Sequence, residues 1–410
     1  MTNNNSSDYE KDNICHDNPI TPFAARQVNV TFNNYTDSVL HLSQTRLMYG
    51  LFNPSPPTVI SARRNARWAT ESNGGAAGTE ALAEYNASGS NLYFELYWSN
   101  PLIGNNSYRA TINNNFGQYV IFAAGTSGNH SAVTFTTFKN NSWNYNSWMG
   151  GIDGTRLISR LSIPGTHQSG AREDHGTGLI ACQDMTISEQ LLYGIRFLDI
   201  RCRAIDGVFT IHHGPAYQGL NFGEVLNQCI SFLNQNPSET ILMRVKQEYS
   251  TVSDTEFIRI FNEQYGNYHS RMYLNTATPS LDQVRNKIVI LANVSGLPGI
   301  HWSSMNIQDN YNPNSTEEKV QYIQKHLALT IDNHSNGGNS FFVNFISQQG
   351  TFVSDPIYHA ALWLNPIFLT LMLEKLIHPV PPEVGVGIIP MDFPNNSPGV
   401  VHGIINSNFE

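Results

Sequence analysis

The second part of the chain alternates short apolar runs with helical patterns, and this alternation restricts the fold more than any other feature. The apolar runs read as strands at residues 156–163, 195–202, 208–213, 240–246, 287–293, 340–346 and 384–391. Segments with helical spacing of apolar residues lie between them at 222–235, 315–331 and 357–376. Strands that alternate with helices predict βα units around a parallel sheet. About 255 residues built in this way match the usual size of a (β/α) barrel.

The first part of the chain predicts a different domain. From residue 27 to 138, short β-rich runs are separated by clusters of Asn, Gly, Ser and Pro, which is typical of an all-β sandwich. Residues 139–154 carry no clear periodicity and are predicted to form a linker. Residues 1–26 are polar and aperiodic, so we expect a loosely attached lead. The predicted fold is therefore α/β, with a TIM-like (β/α) barrel over 155–410 preceded by a β-sandwich domain.

Charged and imidazole side chains stand at the ends of five of the predicted strands. In chain order they are His167, Asp199, Arg201, His213, Arg244, Lys246, Glu248 and Asp392. The active sites of βα barrels lie at the carboxyl ends of the strands, so these residues are the candidates for chemistry. Side chains two apart in a strand share a face, which places Asp199 beside Arg201. Inward charges must be paired or used, because burying one alone costs several kcal/mol.

Three kinds of chemistry compete for these residues. A zinc or calcium site needs several ligands converging on one point, and Arg201 and Lys246 would repel the cation. A serine hydrolase of the nucleophile-elbow type carries G-x-S-x-G, and the segment 125–129 lacks its final glycine. Metal-free phosphodiester cleavage fits better, because it needs a histidine base, a histidine acid and a guanidinium for the phosphoryl oxygens. The alternative for Arg244 is a structural salt bridge with Glu248.

Charge and composition exclude some partners and bear on location. A formal net charge of −9 and the lack of a dense Lys/Arg run argue against nucleic acid as a partner. The longest apolar candidate for a membrane span, 367–377, is interrupted by Glu374 and Lys375. The first residues lack the basic and apolar regions of a secretory signal. We expect a protein that is secreted or released by a route without a visible signal peptide, with a cytoplasmic location as the alternative.

Six motifs of the barrel region, in order, carry a family resemblance. They are LSIPGTHQSGA (161–171), FLDIRCR (197–203), IHHGPAY (211–217), FLNQNPSETILMRVKQEY (232–249), NKIVIL (286–291) and GIIPMDF (387–393). Together they resemble the X domain of bacterial phosphatidylinositol-specific phospholipase C, over residues 155–410. The resemblance implies a distorted, incompletely closed (β/α) barrel. It also implies cleavage of phosphatidylinositol at a membrane surface to diacylglycerol and inositol 1,2-cyclic phosphate.

The resemblance assigns roles to five strand-end residues. His167 is expected to be the general base, with Asp392 orienting its imidazole. His213 is expected to be the general acid. Arg201 occupies the position of a metal ligand in calcium-dependent relatives, so it is expected to clamp the phosphate, with Asp199 orienting it. The resemblance therefore implies a calcium-independent enzyme with no metal and no cofactor.

Further positions are expected to bind the substrate. Lys246 matches a family residue that contacts the inositol hydroxyls. Asp309 and Tyr311 are similar to the family pair that binds and stacks on the ring. We include Arg244 and Gln168 among the substrate-binding candidates.

The sequence departs from the family pattern at two positions. Gln168 stands where bacterial members usually carry an aspartate that assists the general acid, and an amide can form hydrogen bonds but cannot hold the charge. Asn293 stands where an arginine is expected after the KIVIL strand. Because two charged side chains of the family pattern are absent, the sequence predicts neither the rate of cleavage nor the preferred lipid head group.

The β-rich region carries a second resemblance. Residues 56–72 and 92–108 resemble the sandwiches of aegerolysins and insecticidal crystal proteins, which implies a lipid-binding or toxin-like domain and a possible partner toxin. We expect a phosphatidylinositol-specific phospholipase C that this domain docks on a membrane. The alternatives are a membrane-binding toxin component whose barrel is weakly active or inactive, and a phosphodiesterase for another head group.

Overall fold

The computed structural model describes most of the chain. The described residues are 25–74, 77–113, 117–141, 143–349, 356–376, 384–397 and 399–409. The polar lead predicted at 1–26 lies outside them except for its last two residues.

The N-terminal domain consists of two five-stranded sheets. Its strands are β1 (Gln27–Tyr35), β2 (Leu40–Tyr49), β3 (Leu51–Phe52), β4 (Val59–Ile60), β5 (Arg64–Glu71), β6 (Thr79–Ala87), β7 (Tyr93–Asn100), β8 (Ser107–Asn113), β9 (Tyr119–Gly125) and β10 (His130–Lys139). One sheet has the order β3-β5-β1-β10-β9 and the other β4-β2-β6-β7-β8. All neighbours are antiparallel except the parallel pair β1 and β10. The predicted all-β sandwich is confirmed.

Aromatic side chains form the core between the two sheets. Trp68 of β5 and Trp98 of β7 pack edge to face with ring centroids 5.9 Å apart, and Phe94 is fully buried. The Trp98 indole donates a hydrogen bond of 2.8 Å to the Thr70 hydroxyl, which satisfies its one polar atom. Alternation along β7 leaves Tyr97 half-buried on the opposite face.

The C-terminal domain is a curled, mostly parallel sheet with helices around it. Its strands are β11 (Ser162–Thr166), β12 (Phe197–Ile205), β13 (Val208–His213), β14 (Ala216–Asn221), β15 (Ile241–Gln247), β16 (Met272–Tyr273), β17 (Ile288–Asn293), β18 (Ile300–His301), β19 (Asn306–Gln308), β20 (Phe342–Asn344) and β21 (Gly387–Met391). The sheet follows the order β16-β17-β15-β12-β11-β21-β20-β19, and β13 and β14 form an antiparallel hairpin on β12. Within the described residues the two end strands of this order do not pair with each other, and the predicted distorted, incompletely closed α/β barrel is confirmed.

Seven α-helices accompany this sheet within the described residues. They are α1 (Ile187–Leu192), α2 (Phe222–Gln235), α3 (Asp254–Tyr265), α4 (Leu281–Val284), α5 (Thr316–Ser335), α6 (Pro356–Leu376) and α7 (Val400–Asn406). Helix α2 has the predicted bounds, because Asn221 and Glu224 form a capping box at its start. Its apolar stripe, including Val225, Leu226 and Cys229, is fully buried.

The first predicted strand of the barrel begins later than expected. Residues 156–163 read as a strand, but the structure has a 3-10 turn at Ile158–Arg160 and begins β11 at Ser162. The Arg156 guanidinium donates to the carbonyls of Arg160 and Asn408 and so supports a turn here. Ile158 and Leu161 are fully buried. Their burial explains the apolar residues at 156–163, which had predicted a strand.

The segment predicted as a linker, 139–154, packs onto the barrel. Its Trp148 and Met149 side chains are buried in the barrel core. The guanidinium of Arg196 donates to the backbone carbonyls of Tyr145 and Asn146, at 3.0 Å each. The described residues of segment 139–154 therefore pack on a specific surface of the barrel, although their sequence shows no periodicity.

Helix α6 lies between the two domains. By length and composition it could cross a membrane, but Leu364, Phe368 and Met372 are fully buried in the barrel core. On its other side, the Thr370 hydroxyl accepts a hydrogen bond of 3.2 Å from the Asn33 side chain of β1. Packing accounts for part of the apolar composition of α6, whereas Trp363 exposes 51 % of its surface.

A buried ion pair supports this architecture and allows a test. Arg196 and Glu239 pair at 2.8 Å with both side chains fully buried. We expect Arg196→Met to lower the free energy of unfolding by about 3–5 kcal/mol, because it leaves the Glu239 charge buried without its partner. Urea unfolding of the whole chain, followed by circular dichroism, measures the loss. Arg259→Met is the control, because Arg259 pairs with Glu256 on an exposed face of α3. Equal losses in the two variants would contradict the expectation.

Candidate active site

The predicted site residues lie at one edge of the barrel sheet. His167 directly follows β11 and Asp392 directly follows β21, and these strands are parallel neighbours in which Thr166 pairs with Met391. Strand β12 runs parallel to β11 and to β15. The carboxyl ends of parallel strands meet at the same edge, so the sheet itself gathers the candidate side chains.

His167 and Asp392 form a hydrogen-bonded pair. The His167 Nδ1 and Asp392 Oδ1 atoms are 2.8 Å apart, and the carboxylate is 2 % exposed. The Gln183 amide donates to the backbone carbonyls of His167 and Met391, and the Asn365 amide donates to that of Asp392. With Nδ1 held by the carboxylate, Nε2 of His167 is the nitrogen left to act as a base.

The residues that follow the pair adopt unusual backbone conformations. Gln168, after His167, has φ of 44°, and Phe393, after Asp392, has φ of 42°. Positive φ is costly for residues other than glycine and concentrates at functional sites. Both turns therefore hold a strained backbone next to the His167–Asp392 pair.

Asp199 is the buried centre of the charge network. Its Oδ2 accepts hydrogen bonds from Arg201 at 3.1 and 3.2 Å and from the Gln168 backbone N–H at 3.1 Å, and its Oδ1 accepts one from Arg244 at 3.2 Å. Burial alone would raise the pKa of Asp199, but the two guanidinium groups outweigh burial and hold that pKa far below its usual value. The carboxylate is therefore charged at all physiological pH values and fixes both arginines.

Glu248 connects Arg201, Lys246 and the turn after His213. Its carboxylate lies 3.7 Å from Arg201 and 3.1 Å from the Lys246 ammonium, and it accepts a 3.1 Å hydrogen bond from the backbone N–H of Gly214. Burial would raise the pKa of Glu248, but Arg201 and Lys246 lower it.

Arg244 does not pair with Glu248, so the predicted salt bridge between these two residues is wrong, and Arg244 pairs with Asp199 instead. Residues four apart in a strand are separated by roughly 13 Å along its axis, which is too far for that pair. The Arg244 guanidinium turns instead towards Asp199 and donates twice to the Asn293 side-chain oxygen, at 2.7 and 2.9 Å. It also lies 4.2 Å above the centre of the Trp302 ring.

His213 is held by a backbone carbonyl. Its Nδ1 lies 2.7 Å from the carbonyl oxygen of Ile180, and a carbonyl can only accept, so Nδ1 carries the proton and donates it. Burial lowers the pKa of His213, the hydrogen bond to the Ile180 carbonyl raises it, and the Arg201 charge lowers it. Nδ1 of His213 lies 4.0 Å from the Cys182 sulfur, which places His213 in the same site as the other candidates.

The remaining candidates lie around the edge of the site. Asp309 is exposed but close enough to act electrostatically on the Arg244 charge. Tyr311 exposes 58 % of its surface, and its backbone carbonyl accepts a hydrogen bond from Gln349. The buried Gln168 side-chain oxygen has no hydrogen-bond partner among the described residues.

One group of side chains has spacing that a metal ion could use. His167, Cys182 and Asp392 bring one potential ligand atom each within 4.8 Å of one another. Burial raises the pKa of the Cys182 thiol well above its usual value. Arg201 acts electrostatically on the same thiol, and its fixed positive charge opposes a cation. The hydrogen bond between His167 and Asp392 is the arrangement that a proton-transfer pair uses.

Comparisons with known proteins agree with this geometry. The family model described as "Phosphatidylinositol-specific phospholipase C, X domain" matches residues 161–293. A 1-phosphatidylinositol phosphodiesterase of Listeria monocytogenes is 31 % identical over 291 residues, which cover 65 % of this chain and 86 % of the relative. This chain belongs to the phosphatidylinositol-specific phospholipase C family. A homologue of the same name from Staphylococcus aureus is 29 % identical over 255 residues, covering 54 % of this chain and 81 % of the homologue.

A solved structure agrees with the family assignment. The phosphatidylinositol-specific phospholipase C from Listeria monocytogenes superimposes with a TM-score of 0.56 at 29 % identity, and the match covers 65 % of this chain and 99 % of that structure. The residues matched by the family model include His167, Arg201 and His213 but end before Asp309 and Asp392. Asp392 is connected to the matched residues by its hydrogen bond to His167 and by the pairing of β21 with β11.

Sequence reasoning missed several residues that support this family site. Gln183 and Asn365 hold the backbone of His167 and Asp392, and the Ile180 carbonyl holds His213. Lys319 of α5 is fully buried, donates 2.8 Å to the carbonyl of Asn310, and has its pKa lowered to about 8 by burial. Lys319 is the one of these residues that the sequence could have revealed. It lies within a helical pattern of apolar residues, and a buried charge there needs a buried partner.

The pairing of His167 with Asp392 makes a testable prediction. We expect Asp392→Asn to lower kcat by roughly a hundred- to ten-thousand-fold, because an amide does not hold the imidazole in the tautomer that leaves Nε2 free. Steady-state kinetics on phosphatidylinositol vesicles measure this, and KM should change little. Asp332→Asn on the exposed side of α5 is the matched control. An unchanged kcat in Asp392→Asn would contradict the assignment.

Proposed function

We propose that this chain is a phosphatidylinositol-specific phospholipase C that cleaves its substrate without a metal ion. The products are diacylglycerol and inositol 1,2-cyclic phosphate. The observation that carries this proposal is the buried Asp199 carboxylate, which holds the Arg201 guanidinium at the same sheet edge as the His167–Asp392 pair. The names of the two bacterial relatives support the substrate.

In the proposed first step, His167 acts as the general base. Its Nε2 accepts the proton of the inositol 2-hydroxyl while that oxygen attacks the phosphorus. Asp392 stabilises the imidazolium that forms, because its carboxylate lies 2.8 Å from Nδ1 and is shielded from water. The proton therefore moves to a group whose charge is already balanced.

Arg201 is proposed to bind the phosphoryl oxygens. Its charge is fixed, because Asp199 and Glu248 outweigh burial and raise the pKa of Arg201. The guanidinium is positioned before the substrate arrives, and such groups stabilise developing negative charge effectively. A guanidinium in this position performs the electrostatic work of a metal ion.

His213 is proposed to protonate the leaving oxygen of diacylglycerol. Its Nδ1–H is engaged by the Ile180 carbonyl, so the proton is delivered from Nε2. As pH rises through the pKa of His213, the acid form is lost and the rate should fall.

Four residues are proposed to bind the inositol ring. Lys246, Asp309 and Tyr311 take the roles implied by the family resemblance. Arg244 takes the place of the arginine that Asn293 replaces, and its two hydrogen bonds to the Asn293 side chain support this exchange. The positive charge expected from the end of β17 then comes from the neighbouring strand β15.

The role of Arg201 and the independence from metal are tested together. We expect product release from phosphatidylinositol vesicles to be the same in excess chelator as with added calcium, and phosphatidylcholine to remain uncut. Arg201→Lys should lower kcat by roughly a hundred- to a thousand-fold, because an ammonium keeps the charge but loses the forked contact. Arg259→Lys on α3 is the control.

Two outcomes would contradict the proposal. Activity that disappears in chelator and returns with calcium would mean that a metal ion, and not the Arg201 guanidinium, stabilises the phosphoryl oxygens. No cleavage under either condition would favour a membrane-binding component whose barrel is inactive.

The sandwich domain is proposed to contact the lipid surface, as its resemblance to aegerolysins implies. Leu102 and Ile103, between β7 and β8, expose 41 % and 89 % of their surfaces. We expect Ile103→Asp to weaken co-sedimentation of the whole chain with phosphatidylinositol vesicles, because it puts a charge where an apolar side chain meets the lipid. Val208→Asp, an exposed apolar position on the barrel hairpin, is the control. Equal binding by the two variants would contradict this role.

A further inference from the structure

The loop between β11 and α1 supplies the group that holds His213. The carbonyl oxygen of Ile180 accepts the His213 Nδ1–H at 2.7 Å. A second atom of the loop, the Cys182 sulfur, lies 4.0 Å from the same nitrogen. The orientation of the imidazole therefore depends on how residues 174–182 fold.

Asp174 organises this loop from within. Its Oδ1 accepts hydrogen bonds from the backbone N–H groups of Ile180 and Ala181, at 3.1 and 3.4 Å, and its Oδ2 accepts one from that of Gly178. The Thr177 hydroxyl donates to the Asp174 carbonyl at 2.9 Å. The backbone hydrogen bonds outweigh the effect of burial and lower the pKa of Asp174, so the carboxylate is charged at neutral pH.

The ends of the loop are attached to the barrel. The backbone N–H of Cys182 donates to the Ala171 carbonyl at 2.9 Å, and the N–H of Phe393 donates to the Cys182 carbonyl at 3.0 Å. On the hairpin side, the Gln218 side chain accepts from the Glu173 backbone N–H at 2.9 Å. Between these fixed ends, the Asp174 carboxylate holds the backbone N–H of Ile180, the residue whose carbonyl contacts His213.

We propose that Asp174 is a positioning residue for the general acid. Its carboxylate shapes the 174–182 loop so that the Ile180 carbonyl holds Nδ1–H of His213 and turns Nε2 towards the leaving oxygen. This inference rests on the proposed phospholipase C reaction and adds a residue to it. Asp174 touches neither substrate nor reacting atoms and acts only through the loop.

The local chemistry explains why His213 needs this support. Gln168 is neutral, and its side-chain oxygen makes no hydrogen bond to His213 or to any other described residue. Burial and the neighbouring charge of Arg201 lower the pKa of His213, whereas the Ile180 carbonyl raises it. The carbonyl therefore favours the protonated form that a general acid must have at the start of the reaction.

The test compares two leaving groups in the same variant. We expect Asp174→Asn to lower kcat on phosphatidylinositol by about 10- to 100-fold, because the leaving alkoxide needs a proton from a well-placed acid. An inositol phosphodiester with a nitrophenol leaving group needs no such proton, so its kcat should stay near that of the unaltered protein. The alkaline limb of kcat/KM on the lipid should also move to lower pH, because His213 loses the carbonyl that favours its protonated form.

Asp184→Asn is the matched control. Asp184 lies just beyond the loop and accepts hydrogen bonds from the side chains of Asn395 and Asn396. It should leave both rates and the pH profile unchanged. Nitrogen-15 NMR of the histidine rings adds a direct observation: Nδ1 of His213 should carry the proton in the unaltered protein, and the tautomers should mix in Asp174→Asn.

Each outcome is informative. An equal loss on both substrates, or no loss on the lipid, would overturn the role of Asp174. Failure of the unaltered protein to cleave either substrate would instead overturn the proposed function. A loss confined to the lipid substrate supports the loop as the holder of the general acid.

Discussion

The structure of the site depends on one buried carboxylate. Asp199 is fully buried and binds Arg201 with one oxygen and Arg244 with the other. Its backbone also exchanges hydrogen bonds with Ser169, in the turn after His167, so the turn of the general base is tied to strand β12. Removing the partner of such a buried charge costs about 3–5 kcal/mol. The one carboxylate therefore ties together the turn that carries His167, the Arg201 guanidinium and the Arg244 guanidinium.

The two halves of the proposed reaction are supported in different ways. The base His167 stands on the parallel sheet, and the carboxylate that orients it comes from the adjacent strand end. The proposed acid His213 is the last residue of β13, which belongs to the antiparallel hairpin and not to the parallel strands. The carbonyl of Ile180, in a loop, orients it. Sheet positions are fixed by many hydrogen bonds, whereas loop positions depend on a few. The orientation of His213 therefore depends on fewer contacts than that of His167.

Sequence reasoning located the parts of the site that follow from strand periodicity. A period of two places Asp199 beside Arg201 and puts His213 at a strand end, and the structure agrees. The same periodicity could not show which charged side chains form salt bridges with each other, because several of them lie on the same face of the sheet. Arg244 was weighed as a partner for Glu248, yet it turns sideways to Asp199 and Asn293 on neighbouring strands. Contacts made by backbone carbonyls, such as that of Ile180, leave no trace in residue type.

Helix α6 shows how the two domains depend on the same element. Asn365 donates to the backbone carbonyl of Asp392, and five residues later Thr370 accepts a hydrogen bond from Asn33 of the sandwich. An α-helix advances 1.5 Å per residue, so the two contacts lie roughly 7.5 Å apart along the helix, with Pro366 between them. Leu364 and Phe368 are buried in the barrel core, whereas Trp363 exposes 51 % of its surface, so only part of the apolar composition of α6 is used in packing. The position of α6 is therefore set jointly by its contact with the sandwich and by the strand end that carries Asp392.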